Sequence, residues 1–369
     1  MTTADETYTA SPTSGSTLKP GGIYLIKQAD GHNVRVYRPE LPKCLLDLAA
    51  KPEAANYFHL MPINSARTTY WIVNADRGEL VMPENLSGVA DTNLVIETSG
   101  QQRAWAANTL THWSIVGNGA GYEITNAGTS LNVRRKKAGD PPLIVGDDDE
   151  TLARFTFQKV KSLAKIENLA HIDTDPSQIG DVDRLKGFQR PNTRTKEVLI
   201  GQVAIPYLAI NDPGMDTTWQ AKHSPYYIVR RYGYWQQVLY YEHAGNNNYT
   251  KTEDTYVGLT TRNEKVVEDT TNIRVSLDLA FSYKGFSAAV SSAYEHELKV
   301  TTTSEQIKEQ WKKVTISRDF KNDGKRVALC VWYRGDHYTV HRIDAAETLI
   351  ADWRTLTKTG HIDDGWPKN

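Results

Sequence analysis

The sequence predicts an all-β chain, with an N-terminal β-trefoil over residues 21–160 and a longer β-sheet domain over 161–369. Three observations predict it. The composition is rich in β-formers, with 19 Tyr and 9 Trp in 369 residues, and its frequent Thr, Ser and Asn suit sheets with a wet face. A seven-residue motif recurs three times in the N-terminal half. The stretch Asn272–Val300 alternates apolar and polar residues on both sides of Lys284-Gly285, as the two arms of a hairpin do.

Residues 1–20 carry neither a basic patch nor an apolar core. They read as a disordered leader open to proteolytic removal, not as a secretory signal. The repeat follows. Tyr24-Leu-Ile-Lys-Gln-Ala-Asp30, Tyr70-Trp-Ile-Val-Asn-Ala-Asp76 and Tyr122-Glu-Ile-Thr-Asn-Ala-Gly128 begin 46 and 52 residues apart. A second short strand follows each: Asn33–Val36, Glu79–Met82 and Leu131–Arg134. Each unit then closes on an aromatic, Phe58, Trp113 and either Phe155 or Phe157. Three units cannot close a propeller but do make a trefoil, with Tyr24, Phe58, Tyr70, Trp113, Tyr122 and Phe155 as its core.

The closing aromatics resemble those of the ricin B-type lectins, whose units end in Gln-x-Trp. That family's sugar-binding Asp on the second strand is replaced here by Arg35, by Val81 or Met82, and by Arg134. The resemblance leaves Asp30, Arg35, Asp76 and Arg134 as candidate glycan or receptor contacts.

Beyond a polar linker at Lys161–Pro191, Val198–Ile210 reads as a strand that Pro206 confines to an edge or bend. Asn211-Asp-Pro-Gly214 is a turn, and Tyr226–Trp235 is an aromatic strand. Thr250–Thr271 and Thr301–Ile316 read as long Thr-rich strands, with a helical leaning at Glu305–Trp311. Val327–Tyr333 is an apolar core strand, and the tail from Ile350 is a candidate for trimming.

Within Asn272–Val300, Ile273, Val275, Leu277, Leu279, Phe281 and Tyr283 lie on one face, and Phe286, Ala288, Val290 and Tyr294 continue it after the turn. A two-residue turn at Lys284-Gly285 sets Tyr283 opposite Phe286 and Arg274 opposite Glu295. A soluble sheet with one wet face alternates in this way. So does a membrane-inserting hairpin, whose arms need about 9–11 residues and whose closure needs several chains. In that second case Arg274, Asp278, Glu295 and Glu297 line the lumen.

Other functions have little support in the residues. A net charge of −1 gives no basic field for nucleic acid. Cys44 and Cys330 are the only cysteines, too few for a disulfide framework or a thiolate metal site. No apolar run is long enough for a transmembrane helix. His296 lacks the second His of a zinc-protease helix, Gly285-Phe-Ser287 is not a nucleophile elbow, and Asn322–Lys325 is a turn. Asp147–Glu150 lacks calcium-loop spacing. Asp212, Asp216 and Glu253 sit in no catalytic setting, so a glycosidase with a lectin module is the enzyme alternative without a motif. No enzyme activity, metal or cofactor is expected.

Asp212-Pro213, then Ser224-Pro225-Tyr226-Tyr227-Ile228 and Tyr232-Gly-Tyr234-Trp235, resemble the Bin-type insecticidal crystal toxins, as does the order of trefoil first. The resemblance covers about residues 20–310. It implies an aerolysin-like second domain whose amphipathic hairpin becomes a transmembrane barrel, a gut-membrane receptor or glycan, a lipid bilayer on activation, and a homo-oligomeric pore. It also implies production as an intracellular crystal or inclusion in a bacterium. The alternatives are a receptor-targeting component of a binary toxin, acting with a second component, and a carbohydrate-binding lectin without pore activity.

Overall fold

The computed structural model describes residues 18–368 apart from 52, 65, 99, 118, 120, 137–142, 148–152, 259–260, 276–280, 287 and 301–310. The chain is all-β. Its first body holds β1 (Gly22–Gln28), β2 (Asn33–Val36), β3 (Lys43–Ala49), β4 (Tyr57–Pro62), β5 (Thr69–Asn74), β6 (Glu79–Leu80), β7 (Met82–Pro83), β8 (Thr92–Glu97), β9 (Trp113–Gly117), β10 (Tyr122–Asn126), β11 (Asn132–Arg135), β12 (Leu143–Gly146) and β13 (Phe155–Ser162). A short helix, α1 (Gln102–Ala106), follows β8.

Six of these strands close a ring, β1–β4–β5–β9–β10–β13 and back to β1. Each repeat supplies its first and last strand to the ring and leaves the hairpin between them to join β3, β8 and β12 at one end. Closure leaves no free edge within the ring. The pairing explains why the motif recurs. Tyr24 stands opposite Phe58, Tyr70 opposite Trp113 and Tyr122 opposite Phe155, each with the closing aromatic of its own unit. All six are buried. The motif's Ala N–H donates across the ring to the carbonyl just before the closing aromatic of the preceding unit, from Ala29 to Arg154, Ala75 to Tyr57 and Ala127 to His112, each at 2.8 Å. Asn74 and Asn126 then satisfy the turn, accepting from the N–H of Arg77 and of Gly128 at 3.0 and 3.1 Å.

A one-turn helix, α2 (Ala164–Glu167), leads out of this body. The second body is a four-stranded antiparallel sheet in the order β14 (Val198–Pro206), β15 (Tyr226–His243), β20 (Val327–Arg342), β21 (Leu349–Trp366). Helix α3 (Thr217–His223) precedes β15, with Asp216 accepting from the Trp219 N–H at 2.7 Å as its N-cap. β14 is an edge strand and ends on Pro206. β15 runs for 18 residues, roughly 60 Å at ~3.3 Å per residue, so the sheet is long and narrow. A ribbon of β16 (Tyr249–Gly258) and β19 (Trp311–Phe320) packs beside it.

Between those two ribbon strands the chain departs from expectation. Thr250–Thr271 is not one strand: β16 stops at Gly258, and Thr261–Thr271 is a helix, α4. It ends on Asn272, whose φ of 60° and N–H bond to the Glu268 carbonyl at 2.7 Å make a left-handed C-cap. Asn272–Val300 is not a hairpin turning at Lys284-Gly285. β17 (Ile273–Val275) pairs with β18 (Phe281–Tyr283), so Ile273, not Phe286, faces Tyr283. The second arm is helix α5 (Ala288–Glu297). Its Ala-rich start favours helix, and its buried Val290, Ala293, Tyr294 and Leu298 recur at helical spacing. The tail from Ile350 is no loose end either, because it forms most of β21 and pairs along β20. Leu277, Asp278, Leu279 and most of Thr301–Trp311 lie outside the described residues, as do three residues of Asp147–Glu150.

Candidate functional site: a segment stowed between the two bodies

The described residues of 261–300 form an insert between the ring and the long sheet, and several of their apolar side chains are buried. Val267, Ile273, Val290, Tyr294, Leu298 and Val300 belong to one buried cluster. That cluster also holds Trp71 and Met61 of the ring and Ile205, Tyr226 and Val229 of the long sheet. Phe286 packs edge-on against Trp71 with ring centroids 5.5 Å apart. The Tyr294 hydroxyl donates to the Pro62 carbonyl at 2.8 Å, and burial pushes its pKa well above the ordinary tyrosine value. A cavity of about 180 Å³ lies beside α5, touched by Pro62, Ile166, Val203, Ala293 and Tyr294.

Polar contacts fix the insert at its two ends. At the first, Glu268 of α4 receives Arg274 at 3.1 and 3.2 Å and lies 3.1 Å from the Lys284 ammonium. Hydrogen bonding from Arg274, opposed by burial and joined by Lys284, holds the Glu268 carboxyl below its usual range. Arg274 therefore pairs with Glu268 and not with Glu295. At the second end, Arg231 of β15 reaches the carbonyls that close α5.

Of the expected lumen residues, the described Arg274, Glu295 and Glu297 are dispersed in this fold. Arg274 is exposed, Glu295 is buried, and Glu297 lies 3.6 Å from His171. Of the expected membrane face, Ile273, Val290 and Tyr294 are buried and Phe286 is half-buried. Val275, Phe281 and Tyr283 lie in the short β17–β18 pair, and Ala288 starts α5.

Asp212 to Trp235 builds the floor under the insert. The Asp212 carboxylate, fully buried, accepts two bonds from Arg342 at 2.7 and 2.8 Å and one from the Tyr227 hydroxyl at 2.7 Å. Pro213 is the exposed turn residue after it, and Pro225 is buried ahead of β15. The Ser224 hydroxyl donates to the Tyr226 carbonyl at 2.8 Å and accepts from the Ile343 N–H at 3.1 Å. Tyr226 accepts from the Gly21 N–H at 3.4 Å, joining the two bodies. Tyr234 stands opposite Gly335, where any Cβ would collide with its ring, and the Trp235 indole donates to the Gly180 carbonyl at 2.9 Å.

Of the candidate glycan contacts, Asp30 and Asp76 are exposed after their repeat turns, and Arg35 is paired with Asp47 at 2.9 Å. Arg134 is not a surface contact. It is 1% exposed and packs under Gly146, whose missing Cβ would lie 3.2 Å from it. The sequence reading did not single out Arg231, Asp336, Gly201 or Glu268. The one local signal was the pair Arg230-Arg231 inside an apolar strand, where a charge needs a buried partner.

Among the described residues no helix is long and apolar enough to cross a membrane, which does not bear on strands. Residues 198–368 match the model of a family described as Insecticidal Crystal Toxin, P42. The chain is 26% identical over 169 residues to the binary larvicide subunit BinA of Lysinibacillus sphaericus, covering 45% of this chain and 44% of that protein. It is 24% identical over 192 residues to the insecticidal crystal protein Cry35Ab1 of Bacillus thuringiensis, covering 44% of this chain and 49% of that one. These matches span less than half of each relative. The crystal structure of Cry35Ab1 matches with a TM-score of 0.75 over 95% of this chain and 91% of that chain, at 18% identity. The two share the all-β fold.

Proposed function

We propose that this chain, a member of the Bin-type insecticidal crystal toxin family, is an insecticidal β-pore-forming toxin whose stowed insert becomes the membrane hairpin. In this reading the leader is trimmed from a protein stored as an intracellular bacterial crystal or inclusion. Residues 21–160 engage a receptor or glycan on a gut cell, with Asp30, Arg35 and Asp76 as surface contacts. Residues 161–369 then assemble with copies of themselves. The insert leaves its cleft, and Asn272–Val300 refolds into two full arms that zip into a common barrel. Barrel closure satisfies the backbone groups that one hairpin would leave bare in lipid.

One observation carries this reading. The stretch alternates with a period of two across both arms, yet its described residues fold as a three-residue ribbon and a helix, with Ile273, Val290, Tyr294 and Leu298 buried. A sequence fit for one structure and folded in another suits a segment with two states. A second reading, a targeting component that needs a partner toxin, is favoured by the description of BinA as a subunit of a binary larvicide.

Both readings are tested by an Arg274→Cys/Ser282→Cys variant. These residues are directly paired across β17 and β18, within the reach of a disulfide. In the inserted hairpin they lie on the same arm and cannot be joined. Oxidised protein should release no dye from gut-membrane vesicles, and reductant should restore release. Release that the cross-link does not affect would move the pore elsewhere. Binding without release from the reduced protein would favour the targeting component.

A further inference from the structure

The burial of α5 is mostly apolar and diffuse, and its C-terminal end is held by the Lys299 ammonium, which donates to the Thr174 carbonyl at 2.9 Å, and by a grip from the long sheet. We propose that Arg231, Asp336 and Gly201 form a catch on that end, and that the catch sets how readily residues 288–300 leave the fold; this rests on the reading of the insert as the inserting segment. The three residues come from β15, β20 and β14, neighbouring strands of the long sheet.

The Arg231 side chain is 3% exposed and that of Asp336 is fully buried. One guanidinium nitrogen of Arg231 donates to the Leu298 carbonyl at 3.1 Å and also to that of Lys299, and another binds Asp336 at 2.8 Å. Arg334 lies 3.9 Å from the other Asp336 oxygen. A helix end leaves its last carbonyls without partners inside the helix, and a cation there also meets the negative end of the dipole. Burial works against the charge on Arg231, but Tyr338 and Asp336 outweigh it and raise its pKa. The chain turns out of α5 at Lys299, with φ of 55°, and the Val300 N–H returns to the Glu295 carbonyl at 3.0 Å.

Gly201 makes room for this end. It sits where the β14–β15 register shifts. A Cβ there would lie 2.9 Å from the Leu298 oxygen and 3.0 Å from its carbonyl carbon and Cα. Those atoms are backbone, so the helix end itself would have to move. The grip of Arg231 and the fit at Gly201 hold the last turn to the long sheet, beside the Lys299 bond to Thr174. Loss of either shifts a local opening equilibrium and leaves the rest of the sheet paired.

The test is hydrogen exchange of the full chain in solution, without membranes. It compares the wild type with Gly201→Ala and with the Arg231→Met/Asp336→Leu double variant. Gly201→Ala keeps the ion pair, and the double variant removes both of its charges together, leaving only the partly exposed Arg334 without its acidic neighbour. Exchange over 288–300 should quicken roughly 100-fold in both variants, the size expected from losing two charge-assisted bonds or an equal misfit. Residues 226–243 and 327–342 should exchange as in the wild type. Unchanged exchange over 288–300 in Gly201→Ala would overturn the catch, as would equal acceleration throughout the sheet. Selective opening with no vesicle leakage would support the catch while removing the pore reading.

Discussion

His59 lies in β4 with 2% of its surface exposed, and burial lowers its pKa to about 4. An unfolded His titrates near ~6.5, so between those values the unfolded chain binds a proton that the native one refuses. Stability is therefore full at neutral pH and falls as the pH drops from about 6.5 towards 4, by an amount on the order of 3 kcal/mol. Urea titrations at pH 7 and 4.5 should show this loss, and His59→Gln should lose its share of the pH slope. Asp212 is a buried charge of another kind, since Arg342 and Tyr227 fill its oxygens. Arg342→Met should cost about 3–5 kcal/mol, because it strands a carboxylate in the core. A loss under 1 kcal/mol in the same titration would show that Tyr227 alone suffices.

Among elements, α5 is where sequence and fold part. The ring was legible because its three units place the same residue types at the same stations, and Tyr24, Tyr70 and Tyr122 each face their own closing aromatic. The α5 residues were ambiguous: Val290 and Tyr294 are four apart, which satisfies both a period of two and a period near 3.6. Burial in the cluster shared with Trp71 and β14 decides for helix, and the Tyr294 bond to Pro62 spans 232 residues of chain, beyond any local pattern. The catch was hidden for the same reason, since Arg231 and Leu298 meet only through the fold. Tyr294→Phe leaves the Pro62 carbonyl without its donor and should cost about 1–2 kcal/mol, read as faster proteolysis of the insert. At the other end of the insert Glu268 has a lowered pKa. Its contribution is present above the ordinary carboxylate range and lost as pH falls through the native value. Acid should therefore speed cleavage after Arg274 and Lys284, and Glu268→Gln should flatten that dependence.

At the scale of the molecule, the proposed barrel would gather Arg274, Asp278, Glu295 and Glu297 from every chain, an excess of negative charge around the lumen. Reversal potentials across a salt gradient should show a weak cation preference, and anion preference would remove the lumen assignment. The ring and the long sheet also have a consequence in common. Met61 and Trp71 of the ring and Leu80 beside it lie in the same buried cluster as Tyr226 of the long sheet and Tyr207 and Ile210, which follow β14. The Tyr207 hydroxyl donates to the Gly78 carbonyl at 2.8 Å, and Arg103 reaches the Ile210 carbonyl at 3.1 Å. The molecule has no seam there. Scanning calorimetry of the whole chain should give one endotherm, not two. Residues 21–160 made alone should display a greasy underside that binds hydrophobic dyes, so the trefoil is a poor candidate for grafting onto other proteins.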